Sequence, residues 1–349
     1  CSSDLLPLGH LHCAATAFAI RPLPTTAHNI WFFELPSLRR TLVAFTPMSS
    51  QLFAITGITG HVGGHAADAL LKAGHRVRGV VRDETSDSSK ALKAKGVELA
   101  VATFTDSAAL TKAFAGVDGV FVMTPPLMSS PEPRKENKEY ADNIAQAVLA
   151  AKVPRVVLLS SFGAQLSDPT INGPIIKCYD LEQVFFPLVA KGVAVRSLRA
   201  GYFAENTLGA IAYANATSTF TSLLPLDVIL PVVSTKDIGI QAATLIADKS
   251  TGLRIVEFEG PKRIDYTEIS NIFFKLSGKT LPVAVLPNEA REQVIKGFGA
   301  SPASITSFIA MLDGSTNGTL NFEGTHETVK GTQTYEEFLT EFFAAQKKQ

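Results

Sequence analysis

Phe53-Ala54-Ile55-Thr56-Gly57-Ile58-Thr59-Gly60-His61-Val62-Gly63-Gly64 decides how the rest of the chain is read. A short apolar run, glycines at 57, 60 and 63, and an apolar-periodic segment through Leu70 and Leu71 predict a strand, a tight turn and a helix. Glycines permit positive φ and close backbone approach at the turn. The first N–H groups of the helix have no intrahelical acceptor and point, with the helix dipole, at any anion placed there. A dinucleotide pyrophosphate satisfies them, so Gly57, Thr59, Gly60, His61, Val62 and Gly63 are the expected cofactor contacts. Gly74 suits the residue just past the helix, and His75-Arg76-Val77-Arg78-Gly79-Val80-Val81 reads as the second strand of a βαβ unit.

From Gln51 onward strands and helices alternate across short connections, the pattern of a parallel sheet covered on both faces. Strands are expected at Val97–Val101, Gly119–Met123, Arg155–Leu159 and Val193–Leu198. Helices are expected from Ser107 to Ala115 and along the stripe Tyr140, Ile144, Ala147, Val148 and Ala151. After Arg199 the texture changes. Helices are expected near 237–248, 267–277, 288–297 and 334–345, with capping-box spacing at Asp265/Glu268 and Thr334/Glu337, and Leu253–Phe258 is expected to return to the sheet as a strand. The expected fold is α/β: a Rossmann-type doubly wound parallel sheet over 48–200 with a smaller C-terminal substrate lobe over 201–349.

Residues 1–47 share none of this periodicity, and Met48 stands shortly before the first strand. They are expected to be a leader or non-native extension, with a transit peptide as the alternative on the strength of Arg21, Arg39 and Arg40. Lys plus Arg and Asp plus Glu both number 32 in 349 residues, so no global field draws the chain to nucleic acid or an anionic membrane. Three cysteines without metal-ligand spacing suit a reducing compartment, and no apolar run approaches the roughly eighteen residues of a membrane span. The expected location is cytoplasmic, with organellar targeting by residues 1–47 left open. A homodimer is compatible with this reading.

Where the second strand ends, NAD-binding proteins usually present an acid to the ribose hydroxyls, whereas an Arg suits a 2′-phosphate. Here Arg82 is followed by Asp83, and the adjacent loop offers Ser86, Ser88, Ser89 and Lys90. Two parallel charge-assisted bonds from a guanidinium to a phosphate favour NADP(H) over NAD(H). His61 and His65 stand at i, i+4 without a third ligand, so no metal is expected. No Gly-x-Ser-x-Gly elbow points to an esterase.

Ile55–Gly64, Val80-Val81-Arg82-Asp83, Gly116–Phe121, Thr124-Pro125-Pro126, Ser160-Ser161-Phe162-Gly163-Ala164 and Arg199–Asn206 together resemble the NmrA-like branch of the atypical short-chain dehydrogenase/reductases. The resemblance runs in order to about Phe343, through Ser234–Gly239 and Glu259-Gly260-Pro261. It implies an NAD(P)H quinone reductase-like enzyme, an isoflavone-reductase-like enzyme or a dinucleotide sensor. It further implies that Thr124 and Pro125 line the nicotinamide side of the cleft, with Ser160, Ser161 and Phe162 on the loop after the fifth strand. Lys177 stands where many such reductases hold the nicotinamide ribose. That lysine usually closes a Tyr-x-x-x-Lys pair, and here Gly173 occupies the tyrosine position. Tyr202 is the remaining candidate for a catalytic hydroxyl, and a Lys177–Asp180 surface pair is the competing reading of the lysine. Ala102-Thr103 replaces the Gly-Asp that relatives commonly carry, leaving Thr103 as a weaker adenine-side contact.

Without the phenol, alcohol oxidation is disfavoured, while hydride delivery to a small apolar conjugated acceptor such as a quinone remains open. The leading expectation is therefore an NADP(H)-dependent oxidoreductase with Lys177 and Tyr202 as catalytic candidates. The alternative is a non-catalytic NADP(H)-binding redox sensor acting through a regulatory protein partner.

Overall fold

The computed structural model describes residues 50–347, so the expectations for residues 1–47 lie outside it. The chain opens with β1 (Leu52–Thr56), α1 (His61–Lys72) and β2 (Arg76–Val81), then α2 (Asp87–Ala94), β3 (Glu98–Val101), α3 (Ser107–Ala113), β4 (Gly119–Val122), α4 (Pro133–Ala150) and β5 (Arg155–Ser161). The single-turn α5 (Pro169–Asn172) and α6 (Ile176–Phe185) precede β6 (Ala194–Ala200). Beyond lie β7 (Tyr202–Phe203), α7 (Leu208–Thr217), β8 (Phe220–Ser222), β9 (Val232–Val233), α8 (Thr235–Ala247), β10 (Leu253–Glu259) and α9 (Tyr266–Ser277). The chain closes with β11 (Val283–Val285), α10 (Asn288–Gly297), α11 (Pro302–Thr316), β12 (Glu327–Lys330) and α12 (Tyr335–Gln346).

Eight parallel strands form one sheet in the order β12-β10-β6-β5-β4-β1-β2-β3. The order reverses between β1 and β4, which opens a crevice beyond their carboxyl ends, the usual ligand position in such sheets. Both faces are covered, which explains strands that read as continuous apolar runs rather than alternations. Ala54, Val120 and Leu158 point to one core with Leu110, Ile144, Leu181 and Phe185 of α3, α4 and α6. Phe53, Ile55 and Phe121 point to the other, against Ala66 and Leu70 of α1 and Ile238 and Ala242 of α8. Each Val, Leu, Ile or Phe among them contributes about 1.5–3 kcal/mol on leaving water. A third core gathers Phe220, Ile269, Phe273, Leu312 and Leu339, all from the segment after β6.

Local chemistry sets the element ends. Gly74, at φ +82°, closes α1: its N–H reaches Leu71 O at 3.0 Å and that of His75 reaches Leu70 O at 3.0 Å, the paired bonds of a Schellman turn. Thr334 and Glu337 exchange the two bonds of a capping box at the start of α12. Asp265 caps α9 by accepting from Glu268 N at 2.8 Å, but the Glu268 carboxylate turns away to Lys262, so only half of that expected box forms.

Several elements lie outside those expected from the sequence. The loop expected after Asp83 ends at Ser86, the N-cap of α2, so Ser88, Ser89 and Lys90 stand in the first turn of a helix rather than in a loop. Helix α11 carries Ile305, Phe308, Ile309 and Leu312 at helical spacing within a Ser/Thr-rich stretch. Strand β12 pairs with β10 at the sheet edge although its side chains are mostly exposed, so no apolar pattern announces it.

Candidate active site

The glycine turn folds so that no side chain can enter it. Gly57 adopts φ +63°, its carbonyl accepts from Gly60 N at 2.9 Å, and a Cβ on Gly63 would collide with that same carbonyl. A Cβ on Gly57 would meet the Met123 side chain. At the N-terminus of α1, Gly60 supplies no side-chain cap and the first turn holds no acid, leaving its amides to whatever anion docks there. Thr59, Gly60 and His61 are exposed around this cradle, while Val62 and Gly63 are buried beneath it. Thr56 ties the turn to the neighbouring strand end, accepting from Met123 N at 2.9 Å and donating to Phe121 O at 3.1 Å.

At the end of β2, Arg82 is exposed and forms no ion pair among the described residues. Asp83 faces its own loop. Its carboxylate accepts from Thr85 N at 2.8 Å and Thr85 Oγ1 at 2.6 Å, bonds that hold its pKa below the ordinary value. Ser86 and Ser89 are also committed, both donating to Asp83 O, at 3.2 and 2.6 Å, so of the four supplements expected after Arg82 these two serve the turn itself. Ser88 and Lys90 stay exposed. After β3, Thr103 is exposed with its hydroxyl 2.9 Å from that of Thr105, and Phe104 packs on Tyr140 of α4 at 5.6 Å between ring centroids.

Beyond β4, Thr124 is buried, and its carbonyl and that of Pro125 accept from Lys177 Nζ at 3.2 and 3.4 Å. Lys177 is therefore not the surface partner of Asp180, whose carboxylate instead receives Arg134 through two bonds of 2.7 and 2.9 Å. Burial lowers the Lys177 pKa from its ordinary value. Gly173 has φ +54°, and a Cβ there would collide with Ser307 O of α11. A tyrosine at 173 has no place in this packing.

Ser160 and Ser161, expected on the loop after the fifth strand, are instead the last two residues of β5, with Ser161 half-buried, and on the loop beyond them Phe162 is buried against Phe322 at 6.0 Å. The Ser160 hydroxyl turns inward and donates to Glu182 Oε1 at 2.8 Å. Glu182 and Arg199, both buried, pair through bonds of 3.0 and 2.7 Å. Tyr202 lies in the short strand β7, its hydroxyl 3.0 Å from that of Tyr266. Burial, and then the neighbouring Tyr266, push its pKa well above the ordinary value, so the phenol stays protonated. Thr56, Glu182 and the buried role of Arg199 were not singled out from the sequence. Their partners lie far along the chain, and no local spacing marks them.

The arrangement is an open helix N-terminus after β1 and an exposed guanidinium after β2, with the half-buried Lys177 ammonium held on the carbonyls after β4. The NmrA-like family profile matches residues 49–339. The chain belongs to the NmrA-like family. Among curated proteins it is similar to quinone oxidoreductase 2 of Escherichia coli strain K12, 25% identical over 272 residues that span 77% of this chain and 90% of that protein. It also matches cinnamoyl-CoA reductase 1 of Oryza sativa subsp. japonica, 34% identical over 124 residues, covering 34% of this chain and 37% of that relative's length. Among solved structures, the NADPH-dependent quinone oxidoreductase of Escherichia coli complexed with NADPH superposes at a TM-score of 0.67 with 23% identity, covering 83% of this chain and 99% of that one. That likeness carries the fold, an eight-stranded parallel sheet of Rossmann type with small sheets added after β6.

Proposed function

We propose that this member of the NmrA-like family is an NADP(H)-dependent reductase of a small, fairly apolar conjugated acceptor such as a quinone. The observation that carries the reading is the pairing of an uncapped α1 N-terminus with an exposed Arg82, while Asp83 is spent on Thr85. In this reading the amides of His61, Val62 and Gly63 hold the pyrophosphate, Gly57 and Gly60, whose own carbonyl and N–H close the turn, let it approach the backbone, and Arg82 holds the 2′-phosphate. Thr103 stands at the adenine side, and Thr124, Pro125, Ser161 and Phe162 wall the nicotinamide end. Ser160 acts from below, through Glu182.

When bound, the nicotinamide supplies the hydride. The chain's own work is to orient the ring, exclude water and hold a proton. Lys177 Nζ, fixed by two carbonyls, is suited to that last task, because burial has already weakened its grip on the proton. Tyr202 is the lesser candidate, since its hydroxyl is satisfied by Tyr266 and its raised pKa makes it a reluctant donor. The quinone reductase and cinnamoyl-CoA reductase among its relatives support a conjugated acceptor. NADPH oxidation against a panel of benzo- and naphthoquinones is the direct test, and tight NADPH binding without turnover above background would refute it.

One observation favours a second reading. The close packing of α11 on Gly173 removes the usual proton relay, as suits a cofactor sensor that acts through a protein partner. Pull-down with and without NADPH separates the two: a partner that comes and goes with cofactor, alongside no reductase activity, supports sensing.

A further inference from the structure

The Glu182 carboxylate is 1% exposed and accepts four bonds. Oε1 takes Ser160 Oγ at 2.8 Å, Ser197 Oγ at 2.6 Å and Arg199 Nε at 3.0 Å, and Oε2 takes Arg199 Nη2 at 2.7 Å. These donors come from the adjacent ends of β5 and β6, where Ser160 pairs with Arg199 in register. The remaining arm of Arg199 reaches Glu323 at 2.7 Å, on the segment between α11 and β12. That segment lies against the loop after β5, where Gly163 N donates to Asn321 O at 3.0 Å and Phe162 meets Phe322. One carboxylate thus gathers a helix, two strand ends and a crossing segment.

Glu182 and Lys177 share α6, five residues apart. At 1.5 Å of rise and 100° of turn per residue this is roughly 7.5 Å along the axis and about 140° around it, so the two side chains leave the helix on different sides. Glu182 faces the β5–β6 edge while Lys177 reaches across to the carbonyls after β4. Apolar contacts of Leu181 and Phe185 hold α6 against the sheet, but such packing is non-directional and tolerates sliding far better than a carboxylate locked by four fixed donors.

We propose that Glu182 is a positioning residue that sets the rotation and height of α6, and through them the place of Lys177, with Arg199, Ser160 and Ser197 as its anchors. The proposal rests on Lys177 having the role given above, and it extends to the end of β5 at Ser160 and Ser161, which the same bonds fix. A buried ion pair often adds little net stability over apolar replacements, so positional precision is the reason it offers for charge at this point.

Glu182→Gln presents an amide N–H₂ where Arg199 needs an acceptor, and Glu182→Leu/Arg199→Met replaces the pair by apolar groups that restore packing. Two readouts follow each variant: the rate at which N-hydroxysuccinimidyl acetate labels Lys177, followed by mass spectrometry, and kcat with menadione at saturating NADPH. Both variants are expected to label Lys177 about tenfold faster and to lose about ten- to a hundredfold in kcat, the scale of an ångström-sized misplacement. The Kd for NADPH stays within about threefold, because the glycine turn and Arg82 lie on other elements. Ser197→Ala, which deletes one of the four bonds, is the graded variant and shifts both readouts in the same direction by less.

Wild-type labelling and kcat in Glu182→Gln overturn the proposal. So does a double variant that recovers both, since the pair would then serve stability alone. If wild type turns over no quinone, the reductase reading fails while the labelling of Lys177 still decides this one.

Discussion

Arg82→Ala isolates the part of the reading on which coenzyme choice depends. The guanidinium is exposed and lies beyond the last residue of β2, so removing it disturbs no buried contact and leaves thermal stability within about 0.5 kcal/mol. A bidentate bond to a phosphate dianion contributes on the order of 1.5–3 kcal/mol, and solvent screening at an exposed site favours the lower part of that range. The affinity for NADPH is therefore expected to fall roughly ten- to fiftyfold, while that for NADH, which has a 2′-hydroxyl, moves by less than about threefold. Isothermal titration of both coenzymes against both proteins gives the ratio directly. Raising the salt from about 0.05 to about 0.5 M should shrink the wild-type preference for NADPH and leave the variant nearly flat.

Asp83 supplies the internal control. Were its carboxylate the ribose ligand, it would have to release the two bonds to Thr85 that hold its pKa down. Asp83→Asn should then weaken NADH more than NADPH. Equal losses of both coenzymes in Arg82→Ala, or an unchanged NADPH affinity, would refute the assignment of the 2′-phosphate to Arg82.

Gly63→Ala forces a Cβ against the Gly57 carbonyl, and is expected to cost about 1–3 kcal/mol in a denaturant melt and to abolish NADPH binding by titration. Lys177→Met should lower quinone turnover at least tenfold, whereas Tyr202→Phe, which gives up one bond to Tyr266, should lower it less than about threefold in steady-state assays. Burial pushes the Cys178 thiol up to about 11 from an ordinary 9.0, so Cys178 in the native protein resists iodoacetamide at about pH 8, read by mass spectrometry of its peptide. The folded state holds that proton more tightly than the unfolded one. The stability it contributes is complete below 9.0 and is lost as pH climbs towards about 11, a loss that Cys178→Ala removes from the pH–stability curve.

The fold was legible wherever one chain segment carries its own signal. Phe53–Gly64 gives strand, turn and helix because glycine geometry and apolar period are both local, and Gly74 ends α1 by its own φ. Legibility stops where partners are distant. Strand β12 is held by β10 some seventy residues earlier, with register pairs such as Val256 and Glu327, and its exposed side chains show no alternation. Ser86 and Ser89 looked like loop donors because nothing nearby tells that Asp83 O will claim them both.

The candidate site follows the same division, and the division explains its chemistry. The proposed phosphate end is built from neighbours in sequence, so Gly57–Gly63 and Arg82 could be named from their spacing. The proposed nicotinamide end draws on distant pieces: Lys177 reaches the carbonyls of Thr124 and Pro125, and behind it Arg199 joins Glu182 to Glu323, contacts that no spacing names. Gly173 belongs to this second class. As a letter in the sequence it is an absent tyrosine; in the fold it is the point where α11 backs onto the segment leading into α6, with Ser307 O against its Cα. Restoring the phenol would require α11 to withdraw, so a Gly173→Tyr variant cannot simply regain a relay. The close approach of that helix and a tyrosine side chain at 173 are mutually exclusive in this chain. That is why the function proposed above takes an acceptor that asks for hydride and only the proton Lys177 can hold.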